Sequence, residues 1–94
     1  MRRFLLLSLL VGLVVPSFGQ SNYAAITGTV TDSQRLPVAG AEVELTAVST
    51  GAVRHVVTQS QGTFEAPALL PDEYEVQAKA AGFAPKRQRV RLDP

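Results

Sequence analysis

The sequence has no cysteine, no tryptophan and a single histidine, and its aromatic residues are four phenylalanines and two tyrosines. Without cysteine there is no disulfide scaffold, no thiolate zinc site and no cysteine nucleophile. One histidine, His55, supplies neither a histidine metal cluster nor the base of a triad with a recognisable partner, and it reads as a surface or half-buried structural residue. Charge of one sign is also lacking. Nine basic residues against eight acidic ones give a formal charge of +1, far from the basic excess of a nucleic-acid binder. With 94 residues the chain is at most one small domain, which excludes most enzyme folds.

Only one long apolar run is present, from Phe4 to Val15, interrupted by Ser8 and Gly12 and preceded by Arg2 and Arg3. As a helix of about 1.5 Å per residue it would span about 18 Å, short of the roughly 30 Å hydrocarbon core of a bilayer. Pro16, Ser17, Phe18 and Gly19 follow, with small residues where a signal peptidase reads and Gln20 as the expected new N-terminus. Residues 1–19 are therefore expected to be an export signal standing outside the fold, and residues 20–24 a flexible lead. The exported part would keep seven basic and eight acidic residues. A chain of that size buries only about 60% of its unfolded surface. It must pack well or dock on something larger.

From Ala25 onward apolar residues recur with period two, which gives a strand one dry and one wet face. Tyr74, Val76, Ala78 and Ala80 alternate with Glu75, Gln77 and Lys79; Ala41, Val43, Leu45 and Ala47 alternate with Glu42, Glu44 and Thr46; Ile26, Gly28 and Val30 alternate with threonines. Shorter strands are expected over residues 53–58, 63–66 and 87–92. Turn formers separate them at intervals of about 8 to 12 residues, the spacing of an all-β sandwich. No window carries the period and caps of a surface helix. The expected fold is a small antiparallel β-sandwich of about seven strands in two sheets. Its expected core is Ile26, Val30, Val43, Leu45, Val57, Phe64, Leu70, Tyr74, Val76 and Phe83.

Read in order, Gly28-x-Val30-x-Asp32, Pro37-Val38-x-Gly40-Ala41-x-Val43-x-Leu45, Thr58-x-x-x-Gly62-x-Phe64, Leu70-Pro71-x-x-Tyr74-x-Val76 and Ala80-Ala81-Gly82-Phe83 resemble the carboxypeptidase regulatory-like domain. The resemblance covers residues 25–94 and extends to transthyretin-like (prealbumin-like) and Cna-B-type modules, which implies an Ig-like seven-stranded sandwich. It also implies the settings in which such modules occur, as N-terminal extensions of outer-membrane TonB-dependent receptors or on secreted enzymes. Asp32 is expected to cap a turn, Gly28 and Gly62 to allow close approach or positive φ, and Gly40 to close the turn begun at Pro37. Arg35 and Asp72 stand where the family commonly has glycine, and Gln59 where it has an acid. The lysine–asparagine crosslink of some Cna-B modules is not expected, because Lys79 and Lys86 face only Asn22 in the lead.

No catalytic, cofactor or metal site is expected. Glu73 and Glu75 share a solvent face while Asp72 belongs to a turn, and Ser21, Ser33, Ser49 and Ser60 lie in turns or the lead without a nearby base. The one local charge feature is Lys86, Arg87, Arg89 and Arg91, suited to an acidic partner or to guarding an edge strand. The resulting expectation is a non-catalytic exported module for protein interaction or structural support, in the periplasm, at the outer membrane or outside the cell. Its partner would be another protein or the remainder of a larger receptor, with membrane contact only through them. The alternative is a carbohydrate-binding module taking polysaccharide. With no tryptophan and Tyr74 in the core, only Tyr23 is left for stacking on sugar.

Overall fold

The computed structural model describes residues 7–14 and 23–93. These form seven strands in two antiparallel sheets: β1 (Leu7–Val14), β2 (Ala24–Asp32), β3 (Glu42–Ala47), β4 (Val53–Val57), β5 (Thr63–Leu69), β6 (Asp72–Lys79) and β7 (Lys86–Leu92). The three-stranded sheet has the order β1-β2-β5, and the four-stranded sheet has the order β4-β3-β6-β7. Among the described residues no helix is long and apolar enough to cross a membrane.

The period-two pattern sets the register. Val43, Leu45 and Ala47 of β3 lie opposite Ala78, Val76 and Tyr74 of β6, and all six are buried. Ile26 and Val30 of β2 come from the other sheet with Phe64 and Ala66 of β5 to close the core. Ile26, Val30, Val43, Leu45 and Val76 are fully buried. Each such side chain contributes about 1.5–3 kcal/mol relative to exposure.

Three of the expected core residues need correction. Val57 is exposed at 57%, because Val43 pairs with Val56 and turns Val57 to the wet face beside Glu42. Leu70 is 56% exposed, and Leu69, at 4%, takes its place. The reason is a β-bulge: one residue of β2, Ala25, opposes Pro67 and Ala68 between the pairs Ala24–Leu69 and Ile26–Ala66. Ala68 adopts φ 59°, and the extra residue reverses the alternation beyond Ala66. Phe83 is only partly buried, packed on the edge of the core.

The turns behave largely as the residue types dictate. Asp32 Oδ1 accepts hydrogen bonds from the Gln34 and Leu36 amides at 2.8 and 2.9 Å. Arg35 takes φ 68°, a left-handed conformation that suits glycine. Gly62 has φ 76°, and a Cβ there would fall 2.6 Å from the Val30 carbonyl oxygen. Gly28, by contrast, sits inside β2 without positive φ.

Residues 1–19 were expected to stand outside the fold, but in the full chain Leu7–Val14 pair along β2 and bury Leu9. An apolar run rich in leucine and valine meets an open sheet edge, and extended pairing satisfies its backbone. Arg2, Arg3, the expected cleavage region at residues 16–20 and most of the expected lead lie outside the described residues.

Candidate functional site

Alternation on β7 turns Gln88, Val90 and Leu92 toward β6's buried row and leaves Arg87, Arg89 and Arg91 exposed on the outer face, with Lys86 exposed at the strand start. The expected cationic group is therefore assembled on one edge strand. Its partners are partly internal. Arg89 reaches Glu73, which is half-buried, at 3.1 Å, and Arg91 reaches Asp93, also exposed, at 3.1 Å. Surface pairs of this kind contribute about 0–1 kcal/mol. Among the described residues Lys86 and Arg87 make no ion pair.

The same face carries an acidic centre. Glu42 and Glu44 of β3 lie opposite Lys79 and Gln77 of β6, with Glu75 and Glu73 further along that strand, so the outer face runs from His55 on β4 through carboxylates and Lys79 to the cations of β7. His55 is exposed, with Nε2 3.6 Å from the Glu44 carboxylate. That is the surface role its isolation in the sequence suggested. Among the described residues no group of three or more His, Asp or Glu is placed to hold a metal ion.

A second feature was not foreseen. At the end of the sandwich where β3 turns into β4 and β5 into β6, a cleft of about 260 Å³ is lined by Tyr23, Val53, Arg54, Leu70, Asp72 and Tyr74, among others. Its parts are tied together by backbone acceptors. Arg54 crosses from one sheet to the other and donates to the Pro67 carbonyl at 2.7 Å. The Tyr74 hydroxyl donates to the Leu70 carbonyl at 2.7 Å, and burial, followed by the nearby Asp72 charge, raises its pKa. Asp72 Oδ2 accepts from the Ser49 hydroxyl at 2.6 Å, and Oδ1 from the Glu73 amide at 2.7 Å. The Ser49 hydrogen bond is the main reason that the Asp72 carboxyl lies below its ordinary range.

The chemistry-bearing side chains are thus largely engaged in holding turns. Thr58, the one buried polar side chain among the described residues, donates to the Val38 carbonyl at 2.7 Å and accepts from the Ala41 amide at 2.8 Å. Ser49 meets a carboxylate at the turn and His55 lies out on the wet sheet face, so the two do not form a nucleophile–base pair. The signal for the cleft was Pro67: proline inside a strand marks an edge or a bulge, and the bulge is what pushes Leu70 out to the rim. Tyr23, half-exposed, stands at that rim as well.

Comparison with protein families matches residues 25–94 to the carboxypeptidase regulatory-like domain. Comparison with curated proteins and with solved structures finds no match.

Proposed function

Because the chain belongs to the carboxypeptidase regulatory-like domain family, we propose that it serves as a non-catalytic, exported β-sandwich module that contacts or supports another protein at the bacterial cell envelope. The observation that carries the proposal is the division of labour among polar side chains. Asp32, Thr58, Asp72 and Tyr74 are bonded to turns and neighbouring backbone, while the charges left outside form a continuous patterned sheet face. A face of that kind gives specificity and steering more than chemistry. The apolar leader with its basic start favours export into the periplasm, to the outer membrane or beyond. Attachment as the N-terminal extension of a TonB-dependent receptor is the setting that best fits this family and leader together.

Lys86 and Arg87 are the cations best placed to meet an acidic surface. Envelope fractionation of the chain and of a Lys86→Glu/Arg87→Glu variant tests this. The unsubstituted chain should sediment with envelopes and be released at about 0.5 M salt, where screening shortens to a few ångströms. The variant should remain soluble, and identical fractionation of the two would contradict the proposal. Carbohydrate binding is a second reading, supported by Tyr23 on the cleft rim. Tyrosine fluorescence unchanged by soluble polysaccharides would remove it.

A further inference from the structure

We propose that the outer edge of β2 is a strand-accepting site. Once residues 1–19 are removed, it takes an extended segment of another polypeptide, antiparallel to β2, with an apolar side chain where Leu9 now sits. The proposal rests on the export reading above for the vacancy of the edge, and on geometry for its chemistry.

The first observation is the present occupant. Ser8, Leu10 and Gly12 lie opposite Thr31, Thr29 and Thr27. Val30 gives its N–H to the Gly62 carbonyl and its carbonyl to the Val38 amide, and Asp32 gives its N–H to Leu36. Alternation therefore directs the backbone groups of Thr27, Thr29 and Thr31 toward β1. Removing β1 leaves that row unpaired, a template for strand addition.

The second observation is how the other edges are guarded. β7 carries Lys86, Arg87, Arg89 and Arg91, β4 is five residues long with Arg54 and His55, and β5 has Glu65, Pro67 and the bulge at Ala68. Charges, short strands, proline and bulges all discourage edge pairing. β2 has none of these between Ala24 and Thr31. An unguarded edge in a domain whose other three edges are guarded is built to be covered.

The third observation selects the occupant. Leu9, opposite Val30, joins the core cluster, and β1 faces β7 across the sandwich. An incoming strand must supply an apolar side chain there. The β2 strand of a second copy could pair its backbone but not fill that place, since its Ile26 and Val30 are already fully buried in their own core.

The test uses the full chain with Leu10→Pro and Gly12→Pro, which remove the N–H groups opposite Thr29 and Thr27 and dislodge β1. The probe is a fluorescent peptide of residues 7–14 flanked by lysines, followed by anisotropy. The variant should bind it, and the unsubstituted chain, whose own β1 competes, should bind at least about tenfold more weakly. A peptide with aspartate at the Leu9 position should also lose about tenfold or more, the equivalent of one buried leucine. Absence of binding, or indifference to that aspartate, would overturn the proposal, as would self-association of the variant that the peptide does not reverse. Amide exchange at Val43, Leu45 and Val76 must stay slow in the variant; its loss would make β1 an obligatory strand and equally defeat the idea. The mass of the exported chain separates the two readings: retention of residues 1–19 refutes removal, while the peptide data still decide what β2 accepts.

Discussion

Thr58 illustrates how single residues hold this sandwich without a disulfide. Its hydroxyl joins the Val38 carbonyl to the Ala41 amide, bridging the two ends of the turn that leads into β3. Valine fills the same volume but leaves both backbone groups without that partner, so Thr58→Val should lower stability by about 1–3 kcal/mol. Thermal unfolding would register this as a drop of several degrees, about 4–8 °C per kcal/mol in a domain of this size. Gly62 makes a sharper case. An added Cβ would run into the Val30 carbonyl oxygen, whereas at Gly51, which also has positive φ, it would meet nothing within 4 Å. Gly51→Ala should cost about 1 kcal/mol, the left-handed backbone term alone, and Gly62→Ala clearly more because backbone must shift. Equal losses in denaturant titration would refute the close approach.

At the scale of elements, β5 shows where reading the sequence succeeds and where it stops. Alternation from Phe64 to Ala66 is legible and correct, as are the rows Val43–Leu45–Ala47 and Tyr74–Val76–Ala78. Pro67 signals an interruption of β5, but the parity change after it is not legible, because where a bulge falls depends on how two strands align. Leu69 and Leu70 therefore exchange roles, which carried the cleft rim out of view. Val56 and Val57 are adjacent valines whose choice of face is likewise fixed only by pairing with β3. The expectation to measure is a contrast: Leu69→Ala should cost about 2–5 kcal/mol and Leu70→Ala less than about 0.5 kcal/mol. The basic row of β7 was legible, since strict alternation placed Arg87, Arg89 and Arg91 together, but its ion pairs depended on strand order.

The turn between β3 and β4 is fastened to the start of β6 by Ser49 and Asp72, and this link depends on pH. The Asp72 carboxyl is held below its ordinary range, first by the Ser49 hydroxyl. Its contribution is thus present above the unfolded-state value, near pH 4, and is lost as pH falls through the lower folded-state value. Ser49→Ala removes the main cause. Unfolding curves of the two proteins should differ at pH 6 and draw together as the pH falls through the lowered folded-state value. A gap that widens in acid would contradict the assignment.

For the whole molecule, the two sheets differ in what they show to the outside. The four-stranded sheet presents carboxylates bordered by arginines and lysine, and its edges are guarded by charge and shortness. The three-stranded sheet presents a threonine-rich strand whose free side is occupied, in the full chain, by an apolar segment with the composition of an export leader. Under the proposed export, availability of the β2 edge follows from removal of residues 1–19. The measurement that bears on this most directly is the intact mass of the chain recovered from the envelope of a bacterial host. The account predicts a species lacking residues 1–19 and beginning at or next to Gln20. A chain recovered intact from Met1, with Leu7–Val14 still on β2, would contradict it.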